Sequence, residues 1–451
     1  MGNNIYETLG SYFTNDKYLS EKINPYLYNT AVIDVEILVL DLPISEKGYK
    51  ISNIRISKDQ LRNSDLSKIV EEVQKKLNNQ EDTFDSWKVF YLLKELITGL
   101  EAIGFNYFRG QQKGWETVPS IFRHTENSNH EPYYLKFEEI YQEVSREFPN
   151  DIKYYEYPED NNLETIEKRA IQLGILQHYG IPTSLLDITG NPFIALLFMF
   201  GIGTEIDHPQ FQAYKIDDIS LEEKGLISVV DKLPVNRRIQ TQKGSFINYD
   251  KLNRFVVRKY QELEIKDNYK KIDRVIISLN IDIDKSKKYL QSELEVAQDN
   301  IRIIQKAIKN ELNVDDLAGR KIVFDVVKFV ERLGNFDNFS LEEISGTIQD
   351  AFRDEIVSFD FPNRNADLDG RNIKGVIATL GKEETLPKIM KEVYKFIQSE
   401  VLNKLKEYKY EEKDLYPDFI DFLKFVSKDF SPIQQEIKRQ EINGFPLDKL
   451  S

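Results

Sequence analysis

At 451 residues, with 41% apolar and 12% aromatic side chains, the chain is long enough for two or three packed domains. Its 75 acidic residues outnumber 61 basic ones, and a net charge of −14 argues against non-specific nucleic-acid binding, which rests on neutralising phosphates. The lack of any cysteine excludes disulfides and thiolate metal sites.

The N-terminus, Met-Gly-Asn-Asn-Ile-Tyr-Glu, lacks the basic-then-apolar order of a signal peptide, and no run approaches the roughly 18 to 20 apolar residues of a membrane span. The expectation is therefore a cytoplasmic protein without membrane contact. His124, His130, His178 and His208 show no metal-ligand spacing, and no metal is expected. Arg237-Arg238 and Lys270-Lys271 read as solvated surface.

In chain order, Ile33, Val35, Ile37 and Val39 alternate with mostly polar residues as in a half-buried strand. Tyr49, Ile51, Ile54 and Ile56 suggest a second strand with a break. Leu66, Ile69, Val73 and Leu77 mark an amphipathic helix. These elements predict a small α/β unit over residues 1–85. Trp87, Phe90, Leu93, Ile97 and Leu100 then predict a helix that ends near Gly104, followed by an aromatic strand over 105–109.

Asn162 suits a helix N-cap, with Leu163, Ile166, Ala170, Leu173 and Gln177 on one stripe. Gly180 ends that helix and Pro182 prevents its resumption. Thr189-Gly190-Asn191-Pro192 reads as the start of a wholly apolar, buried helix, with Asp187 and Thr189 as competing caps. Short strands are expected over 211–216, 226–230, 245–248, 254–257 and 274–279. From about Asp282 the pattern is helical, most clearly at Leu386, Ile389, Val393, Ile397, Val401, Leu405 and Tyr408. The expected fold class is α+β: a mixed α/β domain at 86–281 between the N-terminal unit and a mainly helical region at 282–451. That last region would be scaffold, a homo-oligomer surface or a protein-partner module.

Two segments place polar groups beside glycine, proline and aromatics inside core-like runs. One is Tyr107-Phe108-Arg109-Gly110-Gln111, with Trp115, Pro119, Phe122 and Arg123 beyond it. The other runs from Leu176-Gln177-His178-Tyr179-Gly180 to Pro182-Thr183-Ser184-Leu185-Leu186-Asp187. An arginine in an aromatic strand needs an anionic partner or hydrogen bonds on every edge. Either a structural ion pair, such as one with Asp187, or a ligand phosphate or carboxylate meets that need. Gly110 fits either an ordinary turn or a close approach of backbone to a ligand. His178 is either a helix C-terminal cap or part of a site with Gln177, Tyr179, Thr183 and Asp187. A third segment, Gln242-x-Gly244-x-Phe246, could present an amide to a ligand.

These residues, with Pro119-Ser120-Ile121-Phe122-Arg123, Asn191-Pro192 and Ala195, closely resemble the FRG domain of bacterial and phage proteins over roughly residues 86–280. Two positions depart from the family pattern: Ser184 stands where arginine is usual, and Ile188 where tryptophan is usual. The Phe-Arg-Gly strand is also similar to the first motif of ADP-ribosyltransferases. That likeness implies NAD as substrate, Arg109, His178 and Gln242 in catalytic positions, and Gly110, Gln111, Arg123, Gln177, Tyr179, Thr183 and Asp187 around the nucleotide. ADP-ribosyltransferases carry a strand-borne glutamate where this chain offers Gln242, with Glu262 and Glu264 as nearby substitutes. The resemblance implies a toxin-like or antiphage effector that transfers or hydrolyses ADP-ribose; the alternative is a non-enzymatic ligand- or partner-binding module.

Overall fold

A computed structural model describes residues 27–44, 48–78, 88–114, 117–123, 133–157, 163–201, 206–217, 227–231, 244–250, 252, 270–293, 295 and 373–411. The strands are β1 (Tyr28–Val39), β2 (Tyr49–Asp59), β3 (Tyr107–Gln111), β4 (Leu185–Thr189), β5 (Gln210–Lys215), β6 (Ser228–Asp231), β7 (Gly244–Asn248) and β8 (Ile272–Ile281). They make one sheet in the order β2-β1-β8-β5-β3-β4-β7-β6. The β1–β8 pair is parallel, and every other neighbouring pair is antiparallel. The helices are α1 (Ser64–Asn78), α2 (Val89–Ala102), α3 (Tyr133–Glu147), α4 (Leu163–His178), α5 (Pro192–Phe200), α6 (Ile373–Leu380) and α7 (Leu386–Glu407), with a further helical stretch over 283–293. The fold is α+β, with helices on both faces of the sheet.

Each face has its own core. On one, Ala31, Ile33, Val35 and Ile37 of β1, Phe108 of β3, Phe211 and Ala213 of β5, and Val275, Ile277 and Leu279 of β8 pack with α1, α2, α5, α6 and α7. On the other, Tyr28, Tyr214 and Tyr249 join residues of β4, β7, α3 and α4. The expected break in β2 is a bulge. Ile51 pairs with Ile37 and Asn53 with Glu36, so Ser52 is the extra residue, and Ile51 and Ile54, three apart, both turn inward.

The sheet and the first core run across the expected boundaries after residues 85 and 281. β1 pairs with β8 from Tyr28↔Ile272 to Ile37↔Ile281. The apolar stripe of α7 (Ile389, Val393, Ile397, Val401 and Leu405) is buried in the core that β1, α2 and α5 share. The Tyr394 hydroxyl donates to the Leu279 carbonyl at 3.0 Å, and Lys88 pairs with Glu400 at 2.8 Å. That stripe is thus used within the chain, and a partner or second copy would need another surface. Ile397 is fully buried, so Ile397→Ala is expected to cost about 2–5 kcal/mol. Because α7 shares a core with the sheet, thermal unfolding followed by circular dichroism and by tyrosine absorbance should shift together. Among the described residues no helix is long and apolar enough to cross a membrane.

Candidate functional site

The two motif segments meet. Thr183, which follows Pro182, donates its N–H to Ser120 Oγ at 3.0 Å and accepts from the Ile121 N–H at 3.2 Å. This stitches the turn after β3 to the turn before β4. The path of the second turn is set at the end of α4. Gly180 adopts φ +91°, and the Ile181 N–H reaches back to the Leu176 carbonyl at 3.1 Å, the pattern of a helix closed by a left-handed residue.

β3 and β4 pair at Phe108↔Thr189. Further along, Arg109 Nη1 donates to the main-chain oxygen of Asp187 at 2.7 Å. The Asp187 carboxylate instead accepts from Gln177 Nε2 at 2.6 Å. Gln177 is held in turn by the Thr183 hydroxyl, which donates to its side-chain oxygen. Of the two readings of Arg109, the ion pair with Asp187 takes the form of a contact to its main-chain oxygen, and Arg109 Nε is buried without a hydrogen-bond partner.

Arg123 completes the cluster and donates Nε to the Val118 carbonyl at 3.0 Å. Its side chain reaches solvent, yet desolvation and the like charge of Arg109 bring its pKa down to about 10, against the opposing pull of Asp187. It stays cationic at neutral pH. Two guanidiniums thus lie within electrostatic range of one carboxylate.

Gly110 is not at an open edge. A Cβ there would sit 1.9 Å from the Ala195 carbonyl oxygen and 2.6 Å from the Met199 nitrogen, so its smallness serves the packing of α5 on β3. Gln111 faces the opposite side from Gly110 and donates to Gln210 Oε1 at 3.0 Å. His178 ends α4 with its ring 5.2 Å from that of Tyr179, and Tyr179 is 68% exposed. Trp115, Gln242, Glu262 and Glu264 lie outside the described residues. Neither Asp187 nor Thr189 caps α5, because both belong to β4. Asn191 is the cap, accepting the Phe193 N–H at 3.0 Å.

Behind the site lies a buried network that the motif reading missed. Ser184 donates Oγ to Asp250 Oδ1 at 2.6 Å, and Arg169 of α4 donates Nε to Asp250 Oδ2 at 3.3 Å. Arg169 also pairs with Glu138 and donates to the Tyr155 carbonyl at 2.7 Å. Ser184, Asp250 and Arg169 are all fully buried. The signal in the sequence was an arginine between Ile166 and Leu173 on the inner stripe of α4.

Residues 105–207 match the model of the FRG domain, less than a quarter of the 451-residue chain. The chain carries an FRG domain. No curated protein and no solved structure matches the chain. The matched FRG segment holds β3, β4, α3, α4 and α5, and with them Arg109, Arg123, Gln177, Thr183 and Asp187. β1, β2, β7, β8 and α7 lie outside it, although they belong to the same sheet and core.

Proposed function

We propose that the FRG domain binds an anionic ligand of the nucleotide class, with NAD the first to test, at Arg109, Arg123, Gln177 and Asp187. One observation carries this reading. Two guanidiniums lie within electrostatic range of a single carboxylate that Gln177 already engages, and Arg109 keeps a buried N–H unpaired. Positive charge left incompletely answered is unfavourable in the free protein, and the planar fork of arginine matches a phosphate. The hydrogen-bonded stitch between the two turns holds these groups before any ligand arrives.

Transfer or hydrolysis of ADP-ribose is the chemistry that the family likeness raises, within a cytoplasmic bacterial or phage effector of toxin or antiphage kind. The geometry supports ligand binding more directly than it supports that chemistry.

Calorimetry with NAD and with ADP-ribose tests the reading, with nicotinamide release followed in parallel. Arg109→Ala is expected to weaken binding about tenfold or more. It should change stability little, because the side chain makes a single hydrogen bond. Equal affinity in wild type and variant would sink the site, and absence of binding to either compound would sink the ligand class.

A further inference from the structure

Strand register places residues that face each other across neighbouring strands on the same side of the sheet. Tyr107 pairs with Tyr214, Tyr214 with Arg274, and Arg274 with Thr30. Arg109 pairs with Gln212, while Gln111 pairs with Gln210 and Gln210 with Ser278. The side of the sheet that carries Arg109 is thus polar across four strands, whereas Phe108, Phe211, Ala213, Val275 and Ile277 make the other side apolar. Gln111, Gln212, Arg274, Ser278 and Thr30 are nonetheless all buried. A buried polar sheet face of this kind is costly unless each group is answered.

Most of them are. Gln111 pairs with Gln210, Gln212 with Thr117 at 2.9 Å, and the Tyr28 and Tyr249 hydroxyls meet at 2.6 Å. That last contact also reports shape. Tyr28 starts β1 and Tyr249 follows β7, five steps away in the strand order, or about 24 Å on a flat sheet. The sheet must curl around its polar side to bring them together.

Arg274 is the group left over. It is only 5% exposed, it gives Nε and Nη2 to Thr30 Oγ1 at 3.3 and 3.1 Å, and it stacks 4.2 Å over the Tyr28 ring. The Tyr214 hydroxyl also lies against its guanidinium, yet its Nη1 has no hydrogen-bond partner, and among the described residues no carboxylate pairs with it. Burial raises the pKa of Tyr28, Tyr214 and Tyr249, so these hydroxyls remain neutral beside it and supply no counter-charge. The nearest comparable orphan is Nε of Arg109, two strands away, roughly 10 Å across the sheet. Both guanidiniums act electrostatically on Tyr214 and Tyr249, in keeping with their place on the same side of the sheet.

We propose that the ligand face extends beyond the FRG motifs onto β5, β8 and β1, and that Arg274 there takes a phosphate of the ligand held at Arg109. The inference rests on the preceding reading that the ligand is anionic. It adds a binding residue outside residues 105–207, the segment that the family model matches.

The test uses the full chain with inorganic pyrophosphate as probe, in calorimetry at constant ionic strength. Wild type is expected to bind, and Arg274→Met, which keeps the length and removes the charge, to bind about tenfold more weakly or worse. Arg274→Lys keeps the charge without the fork and should lose about threefold or more; it also serves if the methionine variant fails to fold by circular dichroism. Unchanged affinity in the folded variants overturns the proposal, as does wild-type binding that an equal ionic strength of sodium chloride abolishes. Wild type that binds no pyrophosphate overturns it as well. NAD is measured alongside: affinity that falls with Arg109→Ala but not with Arg274→Met keeps the ligand site of the previous subsection and removes this extension.

Discussion

Arg169→Ala is expected to destabilise the protein by about 3–5 kcal/mol, enough to leave little folded chain at moderate temperature. Arg169 is wholly inaccessible, and Asp250, one of its two carboxylate partners, is equally so. Removing the guanidinium takes from the buried Asp250 carboxylate the cation that faces it, leaving the Ser184 hydroxyl on Oδ1, and also opens a hole against the Tyr141 ring, over which Arg169 lies at 5.3 Å. A buried ion left alone costs far more than the pair contributed. The charge-free replacement tests the cause: Arg169→Met with Asp250→Leu should recover a large part of the loss. Ser184→Ala should cost only about 1–2 kcal/mol, since it deletes one hydrogen bond to that carboxylate. Urea unfolding of the single and double variants measures all of these, and an additive double variant would show that the two charges are not coupled.

Gly110→Ala is the second large effect, about 3 kcal/mol or more, and its direction is fixed by what the methyl group would meet. Both nearest atoms are main-chain atoms of α5, a carbonyl oxygen at 1.9 Å and a nitrogen at 2.6 Å, so no flexible side chain can yield. The helix must lift from β3 and take its apolar residues out of the core with it. Gly180→Ala is the control. It has open space around it, and only φ +91° opposes a side chain, at a cost of about 1–2 kcal/mol. If thermal unfolding ranked the two substitutions the other way round, the account of Gly110 as a packing residue would fail.

How legible the molecule was in its sequence varied with the range of the interactions that decide each feature. β1, α1, α2, α5 and α7 were readable because period-two or period-3.6 burial is written locally. β4 was missed. Its five residues, Leu185–Thr189, sit between a proline turn and a helix start, and Asp187 looked like a cap for that helix. The strand exists because β7 pairs with it over all five positions, information that lies some sixty residues away. The cluster of Arg109, Arg123, Gln177, Thr183 and Asp187 was visible as residue types, but its wiring was not. Nothing local says that Arg109 takes a main-chain oxygen while Gln177 takes the carboxylate. Arg274 was passed over because a strand that is apolar on one side hides a single cation on the other.

The expected separation of residues 86–281 from the N-terminal unit has a practical counterpart. A fragment starting at residue 86 would expose the β8 edge that β1 covers along ten consecutive residue pairs. Such an edge invites pairing with other chains.

The parallel β1–β8 pairing also governs when this protein can fold. Thr30 and Arg274 touch across 244 positions of chain. At about 5–20 residues per second, β1 leaves the ribosome roughly 12–50 s before its partner exists. During that interval the β1–β2 hairpin lacks the β8 partner on its β1 edge and has no second core to cover it, a species that chaperones recognise. Closure of the sheet is therefore a late event in synthesis. Substitutions in β8 should reduce the yield of folded protein from the cell more than their effect on the finished molecule would suggest.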